Sequence, residues 1–299
     1  MRILVFGAGA IGSFLGGMLA GVCDVALVGR KPHVQAIREH GLIMEGLIRK
    51  TVRIEAHECI PSSAWDAVFI TTKAYDTKQA IKEICESVNP CMIVSMQNGL
   101  SNLDVIRKHI EQYDGFTSSA CITSCGVTML ENGKISVNGI GNTVIGSTGR
   151  SEAVELLCEL MNDAGIACAR SENIMRDIWI KGVVNSAINP LSAIFRVKNG
   201  ELVANPHLRA LLEAVAGESE NVAKHCGFVE QDFDCVKKTI EVAKNTSENY
   251  SSMLQDVMKG KRTEVREING YIVEMGEKHG IDVKLNRFLL NAVLGVAPS

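Results

Sequence analysis

Ile3-Leu4-Val5-Phe6-Gly7-Ala8-Gly9-Ala10-Ile11-Gly12 is the stretch whose reading decides the fold of this 299-residue chain. Four apolar residues run straight into G-x-G-x-x-G. A charge-free segment suited to a helix follows, and a second apolar run at residues 25–28 comes at the distance a β-α-β unit requires. The glycine motif alone is a weak signal. The strand before it, the helix after it and the second strand make it a dinucleotide-binding signature. In that reading Gly7 allows the tight turn, Gly9 lets the backbone approach a pyrophosphate, and Gly12 lets the helix pack against the strand. Ala8, Ala10 and Ile11 complete the loop, and the helix start presents free N–H groups and its positive dipole end to phosphates.

The end of the second strand speaks to the cofactor. A carboxylate there bonds the ribose 2′-hydroxyl of NAD. This chain has Val28-Gly29-Arg30-Lys31 instead, and two cations suit a 2′-phosphate. The expected cofactor is NADP, used as NADPH. Two further loops, Thr71-Thr72-Lys73 and Gln97-Asn98-Gly99, each follow an apolar run, and ligands lie outside the carboxyl ends of such strands. On spacing alone Lys73 reads equally as a surface lysine, and Asn98 as a turn residue.

The 31 basic and 34 acidic side chains give a net charge of −3, which implies no basic face for nucleic acid. Residues 3–23 carry no charge, a length that could span a membrane, but six of them are glycine and no cleavage site follows. A buried strand and helix is the expectation, with no membrane role. The ten cysteines form no C-x-x-C pair and no array with zinc spacing. Reduced thiols in a cytoplasmic protein without a metal site are expected.

Apolar runs at 3–6, 25–28, 67–71, 92–95 and 117–121 alternate with helical patterns at 11–21, 31–39, 77–87 and 103–109, which predicts an α/β fold with a doubly wound parallel sheet. Shorter runs at 126–130, 134–137 and 142–145 read as strands at that sheet's far edge, with Asn132-Gly133 as a hairpin turn. Later patterns are helical: 174–188, 207–225, 232–244, a long stretch 251–279, and 284–294. A boundary near 168–171 divides the chain into 1–170 and an all-helical 171–299.

Within residues 174–189, Lys181, Asn185 and Asn189 recur every fourth residue and fall within about 80° on one helical face. Their neighbours Ile178, Trp179, Val183, Val184 and Ile188 are too apolar for a plain surface helix, so a stripe lining a cleft fits better than a solvated face. Pro190 is expected to end this helix after Asn189. Asn245, Asn249, Ser252 and Asp256 form a second stripe, with Glu264 two turns further along the same face. An ordinary polar face explains that one as well.

These residues resemble ketopantoate reductases over essentially the whole chain. The resemblance rests on G-A-G-A-I-G at 7–12, T-K-A at 72–74, Q-N-G at 97–99, K-x-x-x-N-x-x-x-N-P at 181–190, N-G-E at 199–201, and N-x-S-S-M-x-Q-D at 249–256 followed by T-E at 263–264. It implies an NADP-binding Rossmann domain and an all-helical domain like the C-terminal part of 6-phosphogluconate dehydrogenase, with the active site between them. It further implies reduction of 2-dehydropantoate on the way to pantothenate, with Lys181 as general acid. Asn185, Asn189, Asn199 and Asn249 would hold the substrate's polar groups and Ser252 its carboxylate. Glu264 would orient Lys181 and contact the cofactor or the hydroxyl. Lys73 and Asn98 would lie near nicotinamide and ribose, Arg30 near the 2′-phosphate, and the segment at Gly126 along the cofactor. A related 2-oxo acid or opine-type dehydrogenase, and an NADP-binding sensor without turnover, are the competing readings. A homodimer through the helical half and a monomer both stay open.

Overall fold

The charge-free run 3–23 takes its character from its surroundings. The computed structural model describes residues 1–90, 92–113, 116–148 and 151–298; Cys91, one of the ten cysteines, lies outside them. The chain divides into two compact units: Met1–Gln97 with Asn102–Ile174, and Asn98–Ser101 with Met175–Ser299.

The first unit contains twelve described strands: β1 (Arg2–Phe6), β2 (Asp24–Val28), β3 (Leu42–Gly46), β4 (Lys50–Val52), β5 (Glu55–His57), β6 (Ala67–Ile70), β7 (Met92–Ser95), β8 (Thr117–Thr123), β9 (Gly126–Glu131), β10 (Lys134–Gly139), β11 (Thr143–Ser147) and β12 (Cys168–Arg170). Its helices are α1 (Ala10–Leu19), α2 (Lys31–His40), α3 (Thr77–Ser87), α4 (Asn102–Ile110) and α5 (Glu152–Asp163). Eight strands form one sheet in the order β12-β11-β8-β7-β6-β1-β2-β5. From β8 to β5 every pairing is parallel, and β11 runs antiparallel to β8. The chain steps from β1 outward to β2 and β5, then returns to the other flank of β1 with β6. This is the reversal point of a doubly wound sheet, outside whose carboxyl ends ligands bind. Strands β6 and β7 are buried at every position and β1 and β2 at all but the first. Helices cover both faces, so these strands read as unbroken apolar runs.

Strands β9 and β10 do not lie at the far edge of this sheet. They turn at Asn132-Gly133 as expected, Gly133 having φ +78°. The hairpin then joins β3 and β4 in a separate four-stranded sheet of order β4-β3-β10-β9. Helix α1 packs against both sheets. Added at Gly16, a Cβ would strike Leu27 of β2; at Gly17 it would lie 2.8 Å from Met44 Sδ of β3. Eight of the ten α1 residues are buried, and a helix buried all round carries no charge. No described helix is long and apolar enough to cross a membrane.

His33 of α2 ties these layers together. Its Nδ1 accepts the Gly133 N–H at 2.9 Å, so the proton of the neutral ring sits on Nε2, which donates to Ser13 Oγ of α1 at 3.0 Å. The ring is 5% exposed.

The second unit is helical: α6 (Ile174–Phe195), α7 (Glu201–Ala204), α8 (Pro206–His225), α9 (Cys235–Asn245), α10 (Ser252–Met258), a π-helical turn Arg266–Gly270, α11 (Tyr271–Lys278) and α12 (Lys284–Val296). Local chemistry starts several of them. Asn205 Oδ1 accepts from His207 N and Leu208 N ahead of α8, with Pro206 at the first position. Asp234 and Ser251 cap α9 and α10 in the same manner. The core centres on Trp179, fully buried and stacked on Phe228 with centroids 4.5 Å apart. The stretch 251–279 is not one helix: it breaks after Met258 and resumes at Val265.

Burial holds the His33 pKa below its ordinary value. Stability from this group is therefore complete above the unfolded histidine value, about 6.5, and is lost as pH falls through and below it, because an Nδ1 proton would face the Gly133 donor. Thermal melts of wild type and His33→Gln at about pH 7.5 and about pH 5.5 test this. The wild-type midpoint should drop further between the two; parallel drops would remove the assignment.

Candidate active site

The parallel run of β1, β2, β6, β7 and β8 brings five segments to one edge of the first unit's sheet: the glycine loop after β1, Gly29-Arg30 after β2, Thr71–Lys73 after β6, Gln97 after β7, and residues 124–126 after β8. Gly7 has φ +113°, and a Cβ there would lie 2.6 Å from Thr72 N. Only glycine fits a backbone of this shape so close to a neighbouring strand. Thr71 Oγ1 donates to Gly7 O at 2.7 Å and ties the two loops. Gly9 is the N-cap of α1, and no acidic residue stands in the first turn, so Ala10, Ile11 and Gly12 open a helix end whose dipole favours an anion.

Arg30 caps α2, is exposed, and joins no ion pair among the described residues. Lys73 stands half-buried ahead of a single 3-10 turn. Gln97 braces that turn: its Nε2 donates to Thr72 Oγ1, Lys73 O and Thr77 Oγ1 at 2.9–3.2 Å, and its Oε1 accepts from Ser95 Oγ. The Q-N-G motif contained Gln97, but an amide that acts on main chain and hydroxyls leaves no charge signal in a sequence. Gly126 begins β9 opposite Gly139, in the smaller sheet.

In the second unit α6 carries Lys181 and Asn185 half-buried and Asn189 buried. The two amides make no side-chain hydrogen bond to another described residue. Pro190 does not end this helix, which runs on to Phe195. A proline inside a helix costs about 3 kcal/mol, in part because the carbonyl four residues earlier loses its donor. That carbonyl belongs to Ser186, and Asn269 of the π-helical turn supplies the donor, Nδ2 to O at 2.9 Å. Asn269 Nδ2 also reaches Asn286 Oδ1 at 2.9 Å, and Asn286 continues to Ser219 and Glu218. Ser186, Ser219, Asn269 and Asn286 are all fully buried. The helix closes further on, where Arg196 takes φ 56° and Val197 N bonds Ser192 O, the bond of a Schellman motif.

The second polar stripe is not one helical face. Asn245 ends α9, Asn249 lies in the following loop, Ser252 opens α10, and Glu264 stands just before the helix that resumes at Val265. Gly260, at φ +60°, marks the break after Met258, a helix-stop signal that the helical spacing on either side of it outweighed. Asn199 and Asn249 nevertheless meet through their main chains, Asn199 N to Asn249 O at 3.0 Å, clasped by the Lys198–Glu248 ion pair at 2.8 Å. Asn199 is 7% exposed; its Nδ2 donates to Thr246 Oγ1, and its Oδ1 is buried without a partner. Asn249 and Ser252 are exposed, Glu264 is buried. Asn98 sits in the turn that groups with this unit.

Models of two parts of one family, described as ketopantoate reductase PanE/ApbA and its C terminal, match residues 3–150 and 173–297. The chain belongs to the ketopantoate reductase family. It is therefore an oxidoreductase that acts on a small molecule. 2-Dehydropantoate 2-reductases of Archaeoglobus fulgidus and Pyrococcus horikoshii are 40% and 39% identical to it, over 99% and 98% of this chain and 97% and 96% of theirs. A crystal structure of a PanE/ApbA family ketopantoate reductase from Ralstonia eutropha JMP134 is similar at TM-score 0.90 and 30% identity, covering 99% of this chain and 98% of that one. D-mandelate dehydrogenase, solved as a ternary structure with NADH and anilino(oxo)acetate, is similar at 0.89 and 25% identity, covering 99% and 97%.

The Asn269–Ser186 bond gives this ketopantoate reductase family member a measurable coupling. Asn269→Ala should destabilise by about 1–3 kcal/mol in denaturant titrations, the cost of an unmet buried carbonyl. In a Pro190→Ala background the loss should shrink, because alanine at that position restores an N–H for the Ser186 carbonyl. Equal losses in both backgrounds would show that the bond does not compensate the proline.

Proposed function

We propose that this protein reduces 2-dehydropantoate (ketopantoate) to pantoate with NADPH, on the route to pantothenate and coenzyme A. The observation that carries the reading is the stripe of one lysine and two amides, Lys181, Asn185 and Asn189, on a helix that is mostly apolar. The cofactor fits the residues present. The tight backbone at Gly7, the acid-free first turn of α1 and the exposed Arg30 suit a pyrophosphate and a 2′-phosphate; the roles of Lys73 and Asn98 toward ribose and nicotinamide, and of the Gly126 segment, rest on the family resemblance. Bound there, the reduced nicotinamide supplies a hydride.

The chain's own part is protonation and orientation. When the ketone carbon gains the hydride, its oxygen takes the electron pair of the broken C=O π bond. The Lys181 ammonium stabilises that charge and delivers the proton, then regains one from water. Asn185 and Asn189 orient the substrate through neutral amides. The orphaned Asn199 Oδ1 calls for a donor, which a substrate hydroxyl provides. Asn249 adds to this set, Ser252 offers its hydroxyl to the carboxylate, and Glu264 orients Lys181. The likeness to D-mandelate dehydrogenase with NADH favours a second reading, an aryl 2-oxo acid as substrate.

Nicotinamide absorbance separates the readings. Ketopantoate with NADPH should give a kcat/KM at least about tenfold above aromatic 2-oxo acids and above NADH. A higher value for an aromatic 2-oxo acid, or equal efficiency with NADH, would overturn the assignment of substrate or cofactor respectively. Lys181→Ala should lower kcat by about 100-fold or more while NADPH still binds in fluorescence titration. Near wild-type turnover would remove Lys181 from the reaction.

A further inference from the structure

Gly182 stands in the middle of α6, next to Lys181, where glycine weakens a helix relative to alanine. Its surroundings explain it. A Cβ at 182 would run into the Leu100 side chain, with Cγ at 2.9 Å and Cδ1 at 3.1 Å beyond a closer Cδ2. Leu100 is 1% exposed and belongs to the core around Trp179, Val183 and Val184. It reaches that core from far away in sequence, as part of the turn Asn98–Ser101 that groups with the helical unit. Gly99, at φ +108°, makes the bend, and Leu100 N donates to Glu267 O at 3.1 Å.

Leu100 therefore links, through the Gly182 site and the Glu267 carbonyl, segments that carry three candidate site residues. Asn98 is two positions before it, Lys181 precedes the glycine it covers, and Glu264 is three positions before the carbonyl it bonds. We infer that Gly182 and Leu100 are a positioning pair: the missing side chain at 182 seats Leu100 and so sets Asn98 and Glu264 against Lys181. Neither residue touches substrate. The inference rests on the role proposed for Lys181.

The test compares Gly182→Ala, Leu100→Ala and the double variant, using the full-length protein with NADPH and ketopantoate. Gly182→Ala should lower kcat by about tenfold or more, since small displacements at a reacting centre are costly, with a melting point near that of wild type. The double variant, in which the shortened residue 100 makes room, should recover to within about threefold of wild type. Hydrogen exchange of the 98–101 segment should speed up in Gly182→Ala and slow again in the double. Unchanged kcat in Gly182→Ala, or a double variant no better than it, would overturn the inference. Should Gly182→Ala fail to fold, a folded and active double supports the pair, and an unfolded double refutes it. If wild type itself does not reduce ketopantoate, the functional reading fails, and the exchange pattern alone decides for or against the pair.

Discussion

A helix runs through Pro190 because a side chain from elsewhere answers the carbonyl that the proline leaves open. The Asn269 to Ser186 hydrogen bond is buried, so water cannot replace it, and a lost partner costs the full desolvation of the carbonyl. Much of the second unit follows from that bond. It lets α6 reach Phe195 in one piece, which places the Asn199 loop after it. It also fixes the π-helical turn against α6, close in sequence to Glu264. The Asn286, Ser219 and Glu218 side chains extend the same network into α8 and α12. A buried hydrogen-bond network of this kind specifies one arrangement of helices more strictly than apolar packing does; of its side-chain atoms Asn269 Oδ1 is left without a partner.

The first unit solves a different problem. Helix α1 has to be buried on both flanks while its first turn stays open to a ligand. The small sheet β4-β3-β10-β9 covers the flank that the main sheet does not. His33 then joins α1, α2 and the β9–β10 hairpin through two ring nitrogens used in opposite senses. The segment that carries Arg30 and the segment that carries the glycine loop are thus held by one neutral imidazole.

What the sequence made legible follows from burial. Strands β1, β2, β6 and β7 are buried on both faces and announce themselves as apolar runs. Strands β3, β4 and β5 are short and partly exposed; β3 carries Glu45, and β4 and β5 open on Lys50 and Glu55, so too few apolar residues remain for a period to stand out. The hairpin at Asn132-Gly133 was readable from two residues, but not the sheet it joins, because that pairing is with β3. Lys181, Asn185 and Asn189 were visible as polar residues in apolar company. The continuation past Pro190 was not, since its compensating donor lies far along the chain, and the break after Met258 was masked by spacing that remains helical through a loop. The closeness of Asn199 and Asn249 arises between main-chain atoms and has no counterpart in side-chain pattern.

The turn Asn98–Ser101 has a consequence for the order in which the molecule can be built. A ribosome releases Leu100 long before Glu267. The strands β7 and β8 on either side of the turn can pair as soon as they emerge. The leucine between them belongs to a core whose other members come later, and the carbonyl that its amide bonds is among the last to be made. The core partners of Leu100 thus become available only as the chain beyond Ile174 is made. A gene divided at residue 174 would yield a C-terminal product with a leucine-shaped gap over Gly182.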